Sequence, residues 1–147
     1  MTALDPKDQE LLEAARSATK HAYAPYSRFK VGAALRLRSE KIIWASNKEN
    51  ASFPAGICAE RNALNLAHDH HKGDTIVTIA VAAETDQFSL NDFLAPCGIC
   101  RQVICETEKV QDAPVKVILD GPSGRVRVLE NAASLLPFHF YLKELKK

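Results

Sequence analysis

Most features that would mark this chain for a membrane, a polyanion or an oxidising exterior are missing. No apolar run approaches the roughly 20 residues of a bilayer span, so no membrane partner is expected. The opening Met1-Thr2-Ala3-Leu4-Asp5-Pro6 has neither a basic start nor an apolar stretch, so no secretory leader is expected. Neither sign of charge is in excess. A formal net charge of +1 generates no long-range field to gather nucleic acid. Lys143, Lys146 and Lys147 form a modest basic end that reads as solubilising. There is no internal repeat, linker or low-complexity tract. Only 4 cysteines occur, unevenly spaced, which points to metal binding or catalysis before disulfides, and to a reducing cytoplasm. What remains, 46% hydrophobic and 25% charged residues in 147, suits one soluble domain, 1–147, with a single core.

Asp5 and Pro6 make a good helix start, an N-cap acceptor followed by a residue with no amide to lose. Leu11, Ala14, Ala15, Ala18 and Ala22 continue at helical spacing, and Pro25 should end the helix. From Val31 the period changes. Leu35 and Leu37 alternate with Arg36 and Arg38, which predicts a strand with one wet face, and Ile42-Ile43-Trp44 is its hairpin partner. Helices are expected over 58–70 and 97–108, a doubly buried strand over 75–83, and further strands over 115–119 and 126–129. A turn at 121–124 separates the last two strands, and short helical pieces end the chain. This order implies an α/β fold, a mixed five-stranded sheet covered by helices.

Two strings carry chemistry: Cys58-Ala59-Glu60 and Pro96-Cys97-Gly98-Ile99-Cys100. Each falls at an expected helix N-terminus, where free amides and the macrodipole favour a thiolate. The spacing of Cys97 and Cys100 puts both sulfurs on one side of a first turn, a common zinc chelate, although redox motifs share it. Cys58, Cys97 and Cys100 would leave one position of tetrahedral Zn²⁺ open, as in catalytic sites. A structural zinc site or a redox pair is the competing reading. Glu60 is not needed as a ligand. Near the start of its helix it either stabilises the dipole or serves as general base to a water on the metal. Three thiolates and Zn²⁺ sum to −1, which weakens the metal's hold on that water's charge. Arg61 or Arg101 could restore it by donating to a thiolate; otherwise each is a solvated helix residue.

These strings, with Asn47-Lys48-Glu49-Asn50-Ala51 and the following Arg101-Gln102, closely resemble the small homotetrameric class of zinc-dependent cytidine deaminases. Tyr23-Ala24-Pro25-Tyr26-Ser27-Arg28-Phe29 and Val31-Gly32-Ala33-Ala34 are similar to that family's opening motif, so the likeness spans about 22–140. The resemblance implies a three-layer α-β-α sandwich, one Zn²⁺ per subunit, and hydrolysis of cytidine and 2′-deoxycytidine to the uridines and ammonia in pyrimidine salvage. Glu60 would pass the water's proton to the ring nitrogen and then to the leaving amine. Asn47 and Glu49 would bind the ribose 3′-hydroxyl. A carboxylate there accepts from a hydroxyl and repels a phosphate, which disfavours nucleotides. Phe29 would contact the pyrimidine face, while the Ala59 amide and Ala95 carbonyl would address the base oxygen and amine. Phe140, with Phe138 as rival, would reach into a neighbouring subunit's site.

Three positions depart from the family's pattern. Phe53 stands where Tyr is frequent, Asn62 replaces a common Thr, and the loop 84–95 is longer than usual. Outside the pattern, Cys105 reads as a small core residue, and His68, His70 and His71 as solvated residues favouring a helix C-terminus. Competing functions are deamination of a modified cytidine, a blasticidin-type antibiotic or a base in nucleic acid, and a non-catalytic zinc module. The last needs a fourth protein ligand, which the motifs do not offer.

Overall fold

Asp5 starts the first helix as its side chain accepts from the Lys7 amide at 2.9 Å, and α1 runs Pro6–Ala18. The structure, a computed structural model, describes residues 3–145; Met1, Thr2, Lys146 and Lys147 lie outside them. α1 does not continue to Pro25. The Thr19 hydroxyl donates to the Arg16 carbonyl at 2.7 Å, and the chain tightens into a 3₁₀ turn, Thr19–His21. Ala22 is then extended, and Tyr23 leaves the helix to pair with the backbone of residues 47 and 49.

The five strands are β1 Lys30–Leu37, β2 Ile42–Ser46, β3 Ile76–Glu84, β4 Lys116–Asp120 and β5 Val126–Leu129. Their order is β2-β1-β3-β4-β5. Only β3 and β4 are parallel; the other neighbours are antiparallel, so the sheet is mixed as expected. α1 covers one face through Leu11, Leu12 and Ala15 against Ala34, Ala80, Ala82 and Ile118. On the other face, α2 (Ala59–His70) and α3 (Gly98–Gln111) close the larger core over Leu35, Ile79, Val81 and Val117. The result is the three-layer sandwich.

The wet face expected for β1 is in fact buried. Alternation is present, but α1 lies over the Arg36 side. Arg36 is 7% exposed and donates to the Lys7 carbonyl and Glu10 at 2.8 and 2.7 Å. A charged residue is tolerated there because its terminal guanidinium nitrogens meet acceptors, while its Nε is buried without one. α1 approaches β1 so closely that a Cβ at Gly32 would stand 2.0 Å from the Ala15 carbonyl oxygen. Ion pairs from Asp8 to Lys116 and Arg16 to Asp120, each at 2.7 Å, tie the far side of α1 to β4.

The topology sets the site. β2 and β3 are both antiparallel to β1 and therefore run in one direction. The segments leading to α2 and α3 therefore leave from the same end of the sheet, at the C-termini of β2 and β3, which brings both helix N-termini together there.

Candidate active site

Cys58 and Cys97 are the N-cap residues of α2 and α3, and neither side chain caps its own helix. Their sulfurs instead face each other at 3.9 Å. Cys100, buried in the first turn of α3, completes a cluster whose Sγ atoms all lie within 4.8 Å of one another. The hydrogen bond from Cys100 lowers the Cys58 thiol to about 6, helped by Cys97 and the charge of Arg61. The same bond, with burial, pushes Cys100 up. Soft donors crowded at two helix N-termini, competing over protons, suit a cation that displaces those protons. The donor set fits zinc, and Cys105 stands outside it, donating instead to the Ala132 carbonyl at 3.2 Å.

Glu60 is 5% exposed, and burial pushes its carboxyl up to about 7, with the charge of Cys58 adding to the rise. Together with Cys58 and Cys97 it lines a cavity of about 490 Å³. That volume falls in the range of small-molecule sites. Phe29, Asn47, Glu49, Ala59 and Ala95 line the same cavity. Glu49 accepts from the Ser27 amide and hydroxyl at 3.2 and 3.1 Å. Asn47 is partly committed to the backbone, donating to the Phe29 carbonyl at 2.9 Å and accepting from the Val31 amide at 2.8 Å. It braces the wall that carries Phe29 and keeps one amide hydrogen uncommitted in those two bonds.

Other residues stand elsewhere. Arg61 is half-buried in the first turn of α2 and acts on Cys58 by charge. Arg101 does not serve a thiolate. Its guanidinium donates to the carbonyls of Pro96 and Leu135 at 2.7 and 3.1 Å, holding the chain on either side of α3. Phe140 lies outside its own chain's cavity, 64% exposed, while Gln102 clamps its backbone amide and carbonyl at 2.8 and 2.7 Å. Phe53 lines the cavity with its ring edge-on to Tyr26. Asn62 donates to the Ser46 carbonyl at 3.1 Å and ties α2 to β2. His68 and His70 are exposed in the last turn of α2.

Sequence reasoning missed Ser27 as a partner of Glu49, although Ser27 lies inside the quoted opening motif. It also missed Glu108, whose carboxylate accepts from the Val115, Ala132 and Ala133 amides at 2.8, 2.7 and 3.2 Å. No sequence signal marks that role.

Residues 5–115 match the model of the cytidine and deoxycytidylate deaminase zinc-binding region. The chain belongs to that family. A cytidine deaminase of Halalkalibacterium halodurans is 39% identical over 137 residues, covering 93% of this chain and 96% of the relative. One from Mycobacterium tuberculosis is 34% identical over 105 residues, covering 69% and 74%. The crystal structure of cytidine deaminase from Burkholderia pseudomallei superposes with a TM-score of 0.76 at 41% identity, covering 95% of this chain and 100% of that one. The family places an enzyme on this fold, and the thiol cluster lies within the matched residues. Among the described residues, no helix is long and apolar enough to cross a membrane.

Proposed function

We propose that the enzyme hydrolyses free cytidine and 2′-deoxycytidine to uridine and 2′-deoxyuridine with release of ammonia, as a step of pyrimidine salvage in the cytoplasm. One observation carries the reading: Cys58, Cys97 and the buried carboxylate of Glu60 line one wall of a cavity of about 490 Å³, and the third thiol, Cys100, lies buried beside them with all three sulfurs within 4.8 Å of one another. Cys58, Cys97 and Cys100 would hold one zinc ion per chain. When bound, zinc supplies Lewis acidity that makes a water nucleophilic near neutral pH. Glu60 takes a proton from the attacking water and delivers it to the pyrimidine ring nitrogen; it then takes the proton of the hydroxyl newly bonded to the ring carbon and passes it to the amine, which leaves as ammonia while the carbonyl forms. Its burial suits both duties, since desolvation raises a carboxyl's hold on a proton. Arg61 offsets the excess thiolate charge.

The substrate is held along the same wall. Phe29 lies against the pyrimidine, and the Ala59 amide and Ala95 carbonyl address its oxygen and amine. Glu49, with the remaining hydrogen of Asn47, takes the ribose hydroxyl. Ser27 holds the Glu49 carboxylate where a phosphate would be repelled. A panel of cytidine, deoxycytidine, CMP, adenosine, blasticidin and single-stranded DNA tests this. The expected result is turnover of the two free cytosine nucleosides, with CMP slower by at least about tenfold for a like charge inside the site. Faster turnover of CMP than of cytidine would contradict the sugar site.

The 147 residues form one domain, which assembles as a homotetramer with shared sites. Phe140 supports this: its backbone is fixed by Gln102 while its side chain is exposed and lines no part of its own chain's cavity. Phe140→Ala is expected to raise KM for cytidine about tenfold, the effect of losing one aromatic contact, with zinc content unchanged. Sedimentation and metal analysis complete the test. Full activity from a strictly monomeric preparation would contradict it.

A further inference from the structure

The loop 84–95 touches the cavity in two ways. At its far end it is anchored: the Leu94 amide donates to the Asp120 carbonyl at 3.0 Å. The Phe93 ring lies so close to Gly121 that a Cβ there would stand 2.6 Å from it. The guanidiniums of Arg125 and Arg127 cover that ring at 5.5 and 4.4 Å. From this anchor Leu94 and Ala95 enter the cavity wall. At its near end the loop grips residues 28 and 29. Asp86 pairs with Arg28, which is in the left-handed region at φ 55°. Phe88 stacks on Phe29, with centroids 6.1 Å apart and planes 15° from parallel. Phe88 itself is not part of the wall, whereas Phe29 is. A non-glycine residue held left-handed beside a site is strain kept in place by its surroundings. Here those surroundings include Asp86 and Phe88, which line no part of the cavity.

We propose that Phe88 is a positioning residue for the nucleoside, stacking on the outer side of Phe29 so that the inner side presents a fixed plane to the aminopyrimidine. This rests on the proposed function, in which Phe29 lies against the base. Without Phe88, the Phe29 ring recovers rotamer freedom that substrate binding must remove again, and that cost falls on binding. It falls equally on bound substrate and transition state, so KM rises and kcat holds. Aromatic pairs of this kind shift equilibria about two- to tenfold. The Arg28–Asp86 pair is exposed and contributes less.

The test uses the full zinc-loaded enzyme. Phe88→Ala is expected to raise KM for cytidine about three- to tenfold with kcat within about twofold, and to leave zinc content and melting midpoint unchanged, because Phe88 is 58% exposed. Phe88→Tyr should restore KM; Phe88→Leu should not. In a Phe29→Ala background, Phe88→Ala should have no further effect. Equilibrium binding of cytidine to Glu60→Gln protein should weaken by the same factor when Phe88→Ala is added. An unchanged KM, or an equal rise in the Phe29→Ala background, overturns the role of Phe88 alone. Absence of cytidine turnover by the unaltered enzyme overturns the proposed function, and this role with it.

Discussion

Replacing Glu60 by Gln is expected to lower kcat for cytidine by a factor on the order of 10³–10⁴, the upper range for a general acid–base group. The factor is large because, in the proposed mechanism, one carboxyl moves both protons. Gln keeps the shape and hydrogen-bonding size of the side chain, so the fold and the thiol cluster remain and zinc content is unchanged. Ammonia release and metal analysis on the same sample read both. Retained turnover would remove Glu60 from the chemistry. The same variant carries a pH signature in metal-free protein. The Glu60 carboxyl titrates at about 7 in the fold against an ordinary value of 4.5. The folded state therefore binds this proton more tightly. Its contribution to stability is full below 4.5 and is lost as pH rises through 7. Cys58, lowered to about 6, acts in the opposite sense at higher pH. Glu60→Gln should remove the first slope, so the two melting-versus-pH curves should diverge between about 4.5 and 7.

Cys100→Ala is expected to abolish zinc binding and to leave less than about 10⁻³ of the wild-type turnover, since the nucleophile at neutral pH depends on the metal. Its melting midpoint should fall to that of wild type treated with chelator. Cys105→Ala provides the matched control. Both residues lie in α3 and both are buried, yet only Cys100 belongs to the sulfur cluster. Cys105→Ala loses a bond to the Ala132 carbonyl and should cost about 1 kcal/mol of stability with zinc and turnover intact. Equal loss of metal in both variants would mean that the sulfurs matter through packing. Zinc loading of metal-free wild type should also release protons, from Cys100 at least, and weaken as pH falls.

The thiol cluster was legible because its motifs depend on local spacing. Cys58 and Cys97 were placed at helix starts from the motif alone, and both are N-caps. The element order and the mixed sheet followed from periodicity. Failures occurred where a distant element decides the environment. Arg36 alternates with leucines as a wet residue should, but α1 covers it and supplies its acceptors. The first helix was expected to run to Pro25, whereas a Thr19 hydroxyl ends it early. Arg101 follows Cys100 in sequence, yet its guanidinium turns to carbonyls at Pro96 and Leu135. The loop 84–95 showed only as extra length. Its grip on Phe29 needs coordinates, because stacking between residues 29 and 88 leaves no periodic trace.

The central claim is that Cys58, Cys97 and Cys100 hold the single metal on which cytidine turnover depends. Titrating zinc into metal-free enzyme while measuring uridine formation tests it most directly. Activity should rise linearly and stop at one zinc per chain, with Cys100→Ala flat throughout. Turnover in the metal-free enzyme, or full activity in Cys100→Ala, would contradict the account.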